Sequence, residues 1–186
     1  MGLERSQSNK QTNLEKLPIK IPRLATPEER EVKENSVFNI IFNGIPLTIN
    51  VSFVSEFEKK KGNMPLIEVS IKIYTEPAKE DYSAGISISI NKDEKGYCKA
   101  TTVVANKERG LKGLGRVLWE MSLNLIQRFA DKLGVPVNHK VSKMPRHGLT
   151  DKKWNELFLP LLQQHGYEQD YPNPSLWWKT YSPEKK

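Results

Sequence analysis

Hydrophobic and polar residues alternate through the first half of the chain, from residue 36 to residue 105. Alternation with a period of two is typical of strands that bury one face. Asn43-Gly44 separates the first two apolar runs, and this dipeptide is a strong signal for a hairpin turn. The pattern predicts five strands, at 37–42, 45–53, 66–74, 85–90 and 97–105.

The hydrophobic period changes to steps of three and four residues after residue 113. This period predicts an amphipathic helix from Leu114 to Leu133. The helix is expected to end there because Gly134 and Pro136 follow, and these residues commonly come directly after a helix.

A second helix is predicted from Thr150 to His165, and Pro160 within it is expected to kink the helix or split it in two. Strands that alternate with helices favour some parallel pairing. The predicted fold class is α/β with a mixed α+β sheet, in which an antiparallel N-terminal meander precedes strand, helix, strand, helix, strand and strand. The three late strands are predicted at 135–141, 167–171 and 176–181.

Residues 1–35 are rich in polar residues and show no apolar period, which predicts a largely disordered N-terminal tail. Residues 36–182 are predicted to form one domain, since the length of 186 residues fits a single core.

Composition indicates a protein that does not enter a membrane. Hydrophobic residues make up 37% of the chain, and no apolar stretch approaches the roughly 20 residues that a spanning helix needs. The N-terminus lacks the apolar core of a signal peptide. Cys98 is the single cysteine, so an internal disulfide and a metal site built from several thiols are excluded. A cytoplasmic location is therefore expected.

The formal net charge of +7 favours anionic partners, such as the phosphates of a cofactor or a nucleic acid. The charge by itself does not choose among them.

The turn that precedes the first helix carries the candidate chemistry. Glycines at 110, 113 and 115 allow a close backbone approach to a ligand and positive φ angles. The helix that follows directs free N–H groups and the positive end of its dipole at the turn, an arrangement that binds phosphate. Arg109, Lys112 and Arg116 add three positive charges. The alternative is that the glycines only form a tight turn between strand and helix.

This segment resembles the GNAT acyltransferase family, whose signature is Arg/Gln-x-x-Gly-x-Gly/Ala between a strand and a helix. The spacing fits the run from Gly110 to Gly115, with Gly in place of the leading Arg or Gln; alternatively, Arg109 takes that part with one residue inserted. Gly166-Tyr167 resembles the Gly-Phe/Tyr that opens the family's sixth strand, and 176–179 resembles its seventh strand. The resemblance covers about residues 84–182, whereas residues 36–75 depart from it, since the family has one strand and two helices there.

The resemblance implies an N-acetyltransferase that uses acetyl-CoA as cofactor and transfers the acetyl group to an amine. It implies that Val103, Val104 and Ala105 pair with the pantetheine arm as another strand would. The amides of Leu111, Lys112, Gly113, Leu114 and Gly115 would then hold the pyrophosphate. The acceptor would be an amine-bearing small molecule or a protein, and the thioester would enter between the strand that ends at Ala105 and the strand at 135–141.

Catalytic groups are less clearly marked. Leu162 stands where the family often has a Tyr that protonates the leaving thiolate, and the strand at 97–105 carries no carboxylate or His after residue 98. Glu108 in the turn is the nearest acid, and His147 lies in a loop beside the expected acceptor entrance. These two residues are the catalytic candidates, and His139 is expected to be a core or edge residue of a strand.

Two other functions stay open. A non-catalytic module on the same scaffold would bind CoA or a protein without turnover, and the absent Tyr favours it. A basic α/β protein could instead bind nucleic acid, because the segment 139–153 has a local charge of +4. The acceptor and the oligomeric state are not predicted.

Overall fold

The computed structural model describes residues 17–57, 65–75, 84–92, 97–106, 113–142, 154–171 and 173–184. The order of elements in this part of the chain is five strands, a helix, a strand, a broken helix and two strands, as the hydrophobic pattern predicts. They are β1 Glu31–Phe42, β2 Ile45–Phe57, β3 Pro65–Thr75, β4 Ala84–Lys92, β5 Cys98–Asn106, α1 Leu114–Leu133, β6 Val137–Ser142, a π-helical turn Trp154–Phe158, α2 Leu159–Gln164, β7 Glu168–Gln169 and β8 Leu176–Tyr181.

The eight strands form a single sheet in the order β1-β2-β3-β4-β5-β6-β8-β7. Strands β5 and β6 pair in parallel, and the other neighbours among the described strands pair antiparallel. The predicted α/β class with a mixed sheet is confirmed. The parallel pair arises because α1 connects β5 to β6 and returns the chain to the same end of the sheet.

The hairpin between β1 and β2 turns at the predicted dipeptide. Asn43 and Gly44 both have positive φ angles, 49° and 79°, as a two-residue hairpin turn of this kind requires. Phe42 pairs directly with Ile45 on either side of the turn. The Asn-Gly signal therefore fixes the register of the first two strands.

The core lies between one face of the sheet and α1. Alternate residues of β2 are buried, from Leu47 to Phe53, whereas the intervening residues are more exposed. The ring of Phe53 stacks on that of Phe129 in α1, with 6.1 Å between centroids. The period-two pattern of the strands thus matches the face that the helix covers.

The ends of α1 and the break in the second helix follow the sequence signals. Gly134 has φ 67°, and its N–H donates to the carbonyl oxygen of Ala130, at 2.9 Å. The second helix is divided into a π-helical turn and α2, and Pro160 lies in the first turn of α2. Proline fits that position because the first turn needs no N–H donor.

The N-terminal part of the described chain belongs to the fold. Leu17, Ile19 and Ala25 are buried. The guanidinium of Arg128 donates to the carbonyl oxygen of Ile19 at 2.6 Å, and the N–H of Ala25 donates to Ser55 Oγ at 3.0 Å. Strand β1 begins at Glu31, before the predicted domain boundary at residue 36.

The expected tail at 1–35 therefore has to be shortened, because 17–35 supply apolar side chains to the core and the start of the first strand. Residues 1–16 lie outside the described residues. None of the described helices is long and apolar enough to cross a bilayer.

Candidate functional site

The site begins where the parallel strands β5 and β6 separate. Their pairing consists of three residue pairs, Cys98 with Val137, Lys99 with Asn138 and Ala100 with His139. Strand β5 continues to Asn106 and β6 to Ser142. We call the opening between 101–106 of β5 and 140–142 of β6 the strand gap.

The edge of β5 that faces the strand gap has no strand partner in the described chain beyond Ala100. Every second residue along that edge directs its N–H and C=O groups outward, where another extended chain could pair with them. The gap is therefore suited to an elongated ligand that has amide groups.

The N-terminus of α1 lies at the same end of the sheet as the strand gap, because α1 follows the end of β5 and leads back to the start of the parallel strand β6. Gly113 precedes the helix with φ 84°, and no side chain of the described residues caps the helix end. The first bond within the helix runs from the N–H of Val117 to the carbonyl oxygen of Gly113, at 3.2 Å. The amides of the first turn therefore have no acceptor within the helix, and no acidic residue occupies that turn.

The structure describes some of the predicted cofactor-binding residues and not others. Val103 is 57% exposed, and Val104 is half-buried on the face that α1 covers. Leu114 is fully buried, so only its backbone can serve a ligand. Gly115 lies in the first turn, and Arg116 there makes an ion pair with Glu120, at 2.9 Å.

Of Ala105, the structure describes only the backbone, which pairs with Gly85 in β4. The remaining predicted site residues lie outside the described residues, namely Glu108, Arg109, Gly110, Leu111, Lys112 and His147.

A polar cluster that the sequence did not reveal lies at the closed end of the strand gap. His139 pairs with Ala100 at the last position before the strands separate, and its side chain is 0% exposed. Its Nδ1 is hydrogen-bonded to the hydroxyl of Tyr167 at 2.5 Å, and that hydroxyl is 3.2 Å from the hydroxyl of Tyr181. The ring of Trp119 lies beside His139, with 5.5 Å between centroids.

Burial keeps this cluster uncharged. It lowers the pKa of His139 to about 4, because an imidazolium loses its hydration in the core. Burial also raises the pKa of Tyr167, with a further contribution from Tyr181, and raises the pKa of Tyr181 itself. All three groups are therefore neutral near pH 7, and they can donate or accept hydrogen bonds without gaining a charge.

A second group of ionisable side chains lies around the end of α2. Lys179 donates to the carbonyl oxygen of His165 at 2.7 Å, and its Nζ is 4.7 Å from the centroid of the Tyr181 ring. Burial lowers the pKa of both Lys179 and His165, and for His165 the charge of Glu120 acts in the opposite direction. The sequence pattern predicts His165 only as the last residue of a helix, directly before Gly166.

The described residues contain no cluster of three or more His, Cys, Asp or Glu side chains that could hold a metal ion. The chain matches no protein-family model, no curated protein and no solved structure. The features of the described residues that bear on function are the strand gap, the start of α1 and the polar cluster at the closed end of the gap.

Proposed function

We propose that the chain is a GNAT-type N-acetyltransferase, which transfers an acetyl group from acetyl-CoA to an amine. The observation that carries the proposal is the strand gap, which opens beside the N-terminus of a 20-residue helix that no side chain in the described part of the chain caps. These two features supply what CoA requires, an extended edge for its amide-containing arm and a row of amides for its pyrophosphate.

The topology supports this proposal further. The gap lies between the two strands that the resemblance assigns to the pantetheine arm, and α1 is the helix that the resemblance places after the glycine turn. The first half of the sheet departs from the family, because β1 and β2 form a hairpin where the family has helices.

In this proposal the backbone edge of 101–106 in β5 orients the pantetheine arm, and the amides at the start of α1 hold the pyrophosphate. When bound, acetyl-CoA supplies a thioester, whose carbonyl carbon the amine attacks while the sulfur leaves as the CoA thiol. Val103 offers an apolar surface on the uncovered face of the sheet. The protein contributes mainly by holding the two reactants in position.

A non-catalytic CoA-binding module is the second candidate function, and one observation favours it. Leu162 occupies the position where the family often has a Tyr, and its side chain is fully buried among apolar residues. It can neither donate a proton nor contact the leaving group. The buried Cys98, a free thiol, is compatible with the cytoplasmic setting that both candidates assume.

Thermal unfolding with and without acetyl-CoA tests the binding site. For a chain of 186 residues, ligand at about 100 times its Kd should raise the Tm by roughly 5–10 °C. The Gly113→Asp variant places a negative charge at the start of α1 and should lose this increase. Gly134→Asp is the matched control, since Gly134 also has a positive φ but lies at the opposite end of α1.

A wild-type protein that acetyl-CoA does not stabilise would contradict the proposal, as would equal losses in the two variants. Release of CoA thiol in the presence of a panel of amines then separates the enzyme from the module. If RNA binds instead, with an affinity that falls steeply with salt, the nucleic-acid function replaces both.

A further inference from the structure

Two buried polar atoms at the closed end of the strand gap have no hydrogen-bond partner in the described chain. They are Nε1 of Trp119 in α1 and Nε2 of His139 in β6. Their rings lie side by side at 5.5 Å between centroids, with an interplanar angle of 33°. An unpaired polar atom in a protein interior is unfavourable, so two of them in adjacent rings indicate a place that can take a further hydrogen-bonding group.

A third atom of the same kind lies on the opposite strand. Oγ1 of Thr102 is buried without a partner in the part of the chain that the structure describes. Thr102 follows Ala100 by two residues, so it shares the sheet face of His139, which pairs with Ala100. The three atoms come from β5, α1 and β6, the elements that surround the start of the gap.

The chemistry of these atoms favours an oxygen that accepts hydrogen bonds as the group bound here. The Trp119 indole N–H can only donate. His139 Nδ1 is engaged by Tyr167, whose hydroxyl neighbours that of Tyr181. When Tyr181 donates to Tyr167 and Tyr167 donates to Nδ1, the imidazole carries its proton on Nε2 and also donates. Burial keeps this imidazole neutral, so the indole N–H and the imidazole N–H are both uncharged donors.

We propose that Trp119 Nε1–H and His139 Nε2–H hold the carbonyl oxygen of the acyl group at the closed end of the strand gap. This inference rests on the proposed acetyl-transfer function. As the amine nitrogen bonds to the carbonyl carbon, the electron pair of the C=O bond moves to this oxygen, and the two donors stabilise the negative charge. The C–S bond then breaks, and the proton of the amine ends on the sulfur of the CoA thiol.

Tyr167 and Tyr181 act as positioning residues in this arrangement, because their hydroxyls set the tautomer of His139 without touching the acyl group. Neither donor gives up its proton, so a neutral indole and a neutral imidazole suffice.

Nuclear magnetic resonance of the ¹⁵N-labelled full chain tests the inference. The chain has four Trp residues and so four indole N–H signals, which are assigned with Trp119→Phe and Trp154→Phe. Acetyl-CoA should shift the Trp119 signal, whereas CoA, which lacks the acyl carbonyl, should leave it in place. The Trp154 signal should respond equally to the two ligands.

Affinities give a second readout. Trp119→Phe should lower the ratio of acetyl-CoA affinity to CoA affinity by about threefold to tenfold, as expected for one neutral hydrogen bond. Trp154→Phe is the matched control, since Trp154 is also buried and packs in the same aromatic group at 5.1 Å from Phe158. This ratio should be unchanged in the control.

The possible failures are distinguishable. If both ligands stabilise the protein but shift the Trp119 signal equally or not at all, the two rings hold only water, and this inference is wrong while the CoA site stands. If neither ligand stabilises the protein, the proposed function fails and the inference fails with it. If Trp119→Phe does not fold, Trp154→Phe, Trp177→Phe and Trp178→Phe assign the other three signals and leave the Trp119 signal by elimination, so the wild-type spectra still decide between these results.

Discussion

His139 is held without charge in the folded protein, because the core offers it one hydroxyl partner and shields it from bulk solvent. The unfolded chain takes up a proton at this residue as the pH falls through about 6.5, whereas the folded chain does so only near pH 4. Between these values the unfolded state binds more protons than the folded state. The stability that depends on neutral His139 is therefore complete above pH 6.5 and is lost as the pH falls toward 4.

The His139→Gln variant should show a weaker dependence of stability on pH. Between pH 7 and pH 4, the free energy of unfolding should fall by about 3 kcal/mol more in the wild type than in the variant. Urea unfolding at pH 7, 5.5 and 4 measures the difference. His165→Gln is the control, since His165 is more exposed and its removal should change the pH dependence less. Parallel pH profiles for wild type and His139→Gln would contradict the expectation.

The hydroxyl of Tyr167 should contribute to stability through its bond to His139. Tyr167→Phe leaves the buried Nδ1 without its partner, so the variant should lose about 1–3 kcal/mol of unfolding free energy. Tyr171→Phe is the matched control, because Tyr171 is 97% exposed and its variant should be nearly neutral. Chemical denaturation at pH 7 compares the two, and equal stabilities would show that the hydroxyl contributes nothing.

At the scale of the element, the start of α1 depends on a backbone conformation that suits glycine. Gly113 has φ 84°, a left-handed value that an L-residue adopts only at a cost, whereas Gly115 lies within the first turn of the helix. A Cβ added at either position meets no atom of the described chain within 4 Å. Backbone conformation alone therefore separates the two positions.

Gly113→Ala and Gly115→Ala should change stability in opposite directions. The first should lower the free energy of unfolding by about 1 kcal/mol or more, because alanine is strained at positive φ. The second should raise it by about 0.5–1 kcal/mol, because alanine favours the helix. Urea unfolding of the pair measures both effects. A destabilised Gly115→Ala would show that this position has a further constraint.

Elements with local signals could be predicted from the sequence, and those set by distant contacts could not. Asn43-Gly44 specifies its own turn, and Pro160 breaks the helix that contains it. The strand gap has no such signal, because it depends on where two strands stop pairing across an intervening helix.

The candidate site divides in the same way. The glycines at 110, 113 and 115 can be recognised as a candidate site from their spacing in the sequence alone. The polar cluster is formed by residues from four separate parts of the chain, Trp119, His139, Tyr167 and Tyr181. Taken one at a time in the sequence, each of them is indistinguishable from an ordinary core residue. Only the register of β6 with β5 and β8, together with the packing of α1, brings them together.

For the whole molecule, residues 17–25 act as a strap that joins α1 to the strands. Ile19 is buried in the core and its carbonyl oxygen accepts from Arg128, and Ala25 is bonded to Ser55 in β2. The polar composition of 1–35 conceals this role, because the few apolar residues in the segment have no regular period. The folded unit therefore includes more of the chain than its hydrophobic pattern indicates.

Ile19→Ala should test that strap. Removing a buried isoleucine side chain should lower the free energy of unfolding by about 2 kcal/mol, near the low end for core positions because a segment without regular secondary structure can readjust. Val37→Ala, at a residue that is 64% exposed, should change stability by less than about 0.5 kcal/mol. Thermal or urea unfolding compares them, and a neutral Ile19→Ala would restore the prediction of a disordered tail.

The three residue pairs between β5 and β6 divide the sheet into two antiparallel halves, β1 to β5 on one side and β6 to β8 on the other. Helix α1 contacts both halves, through β4 and β5 and through β6 and β8, and so clamps this short seam. Among the pairings between strands of six or more residues this seam is the shortest, so under a pulling force the two halves part most easily along it. A molecule bound between the separated strands, as the proposed function requires, would lengthen the seam and so strengthen the junction between the two halves.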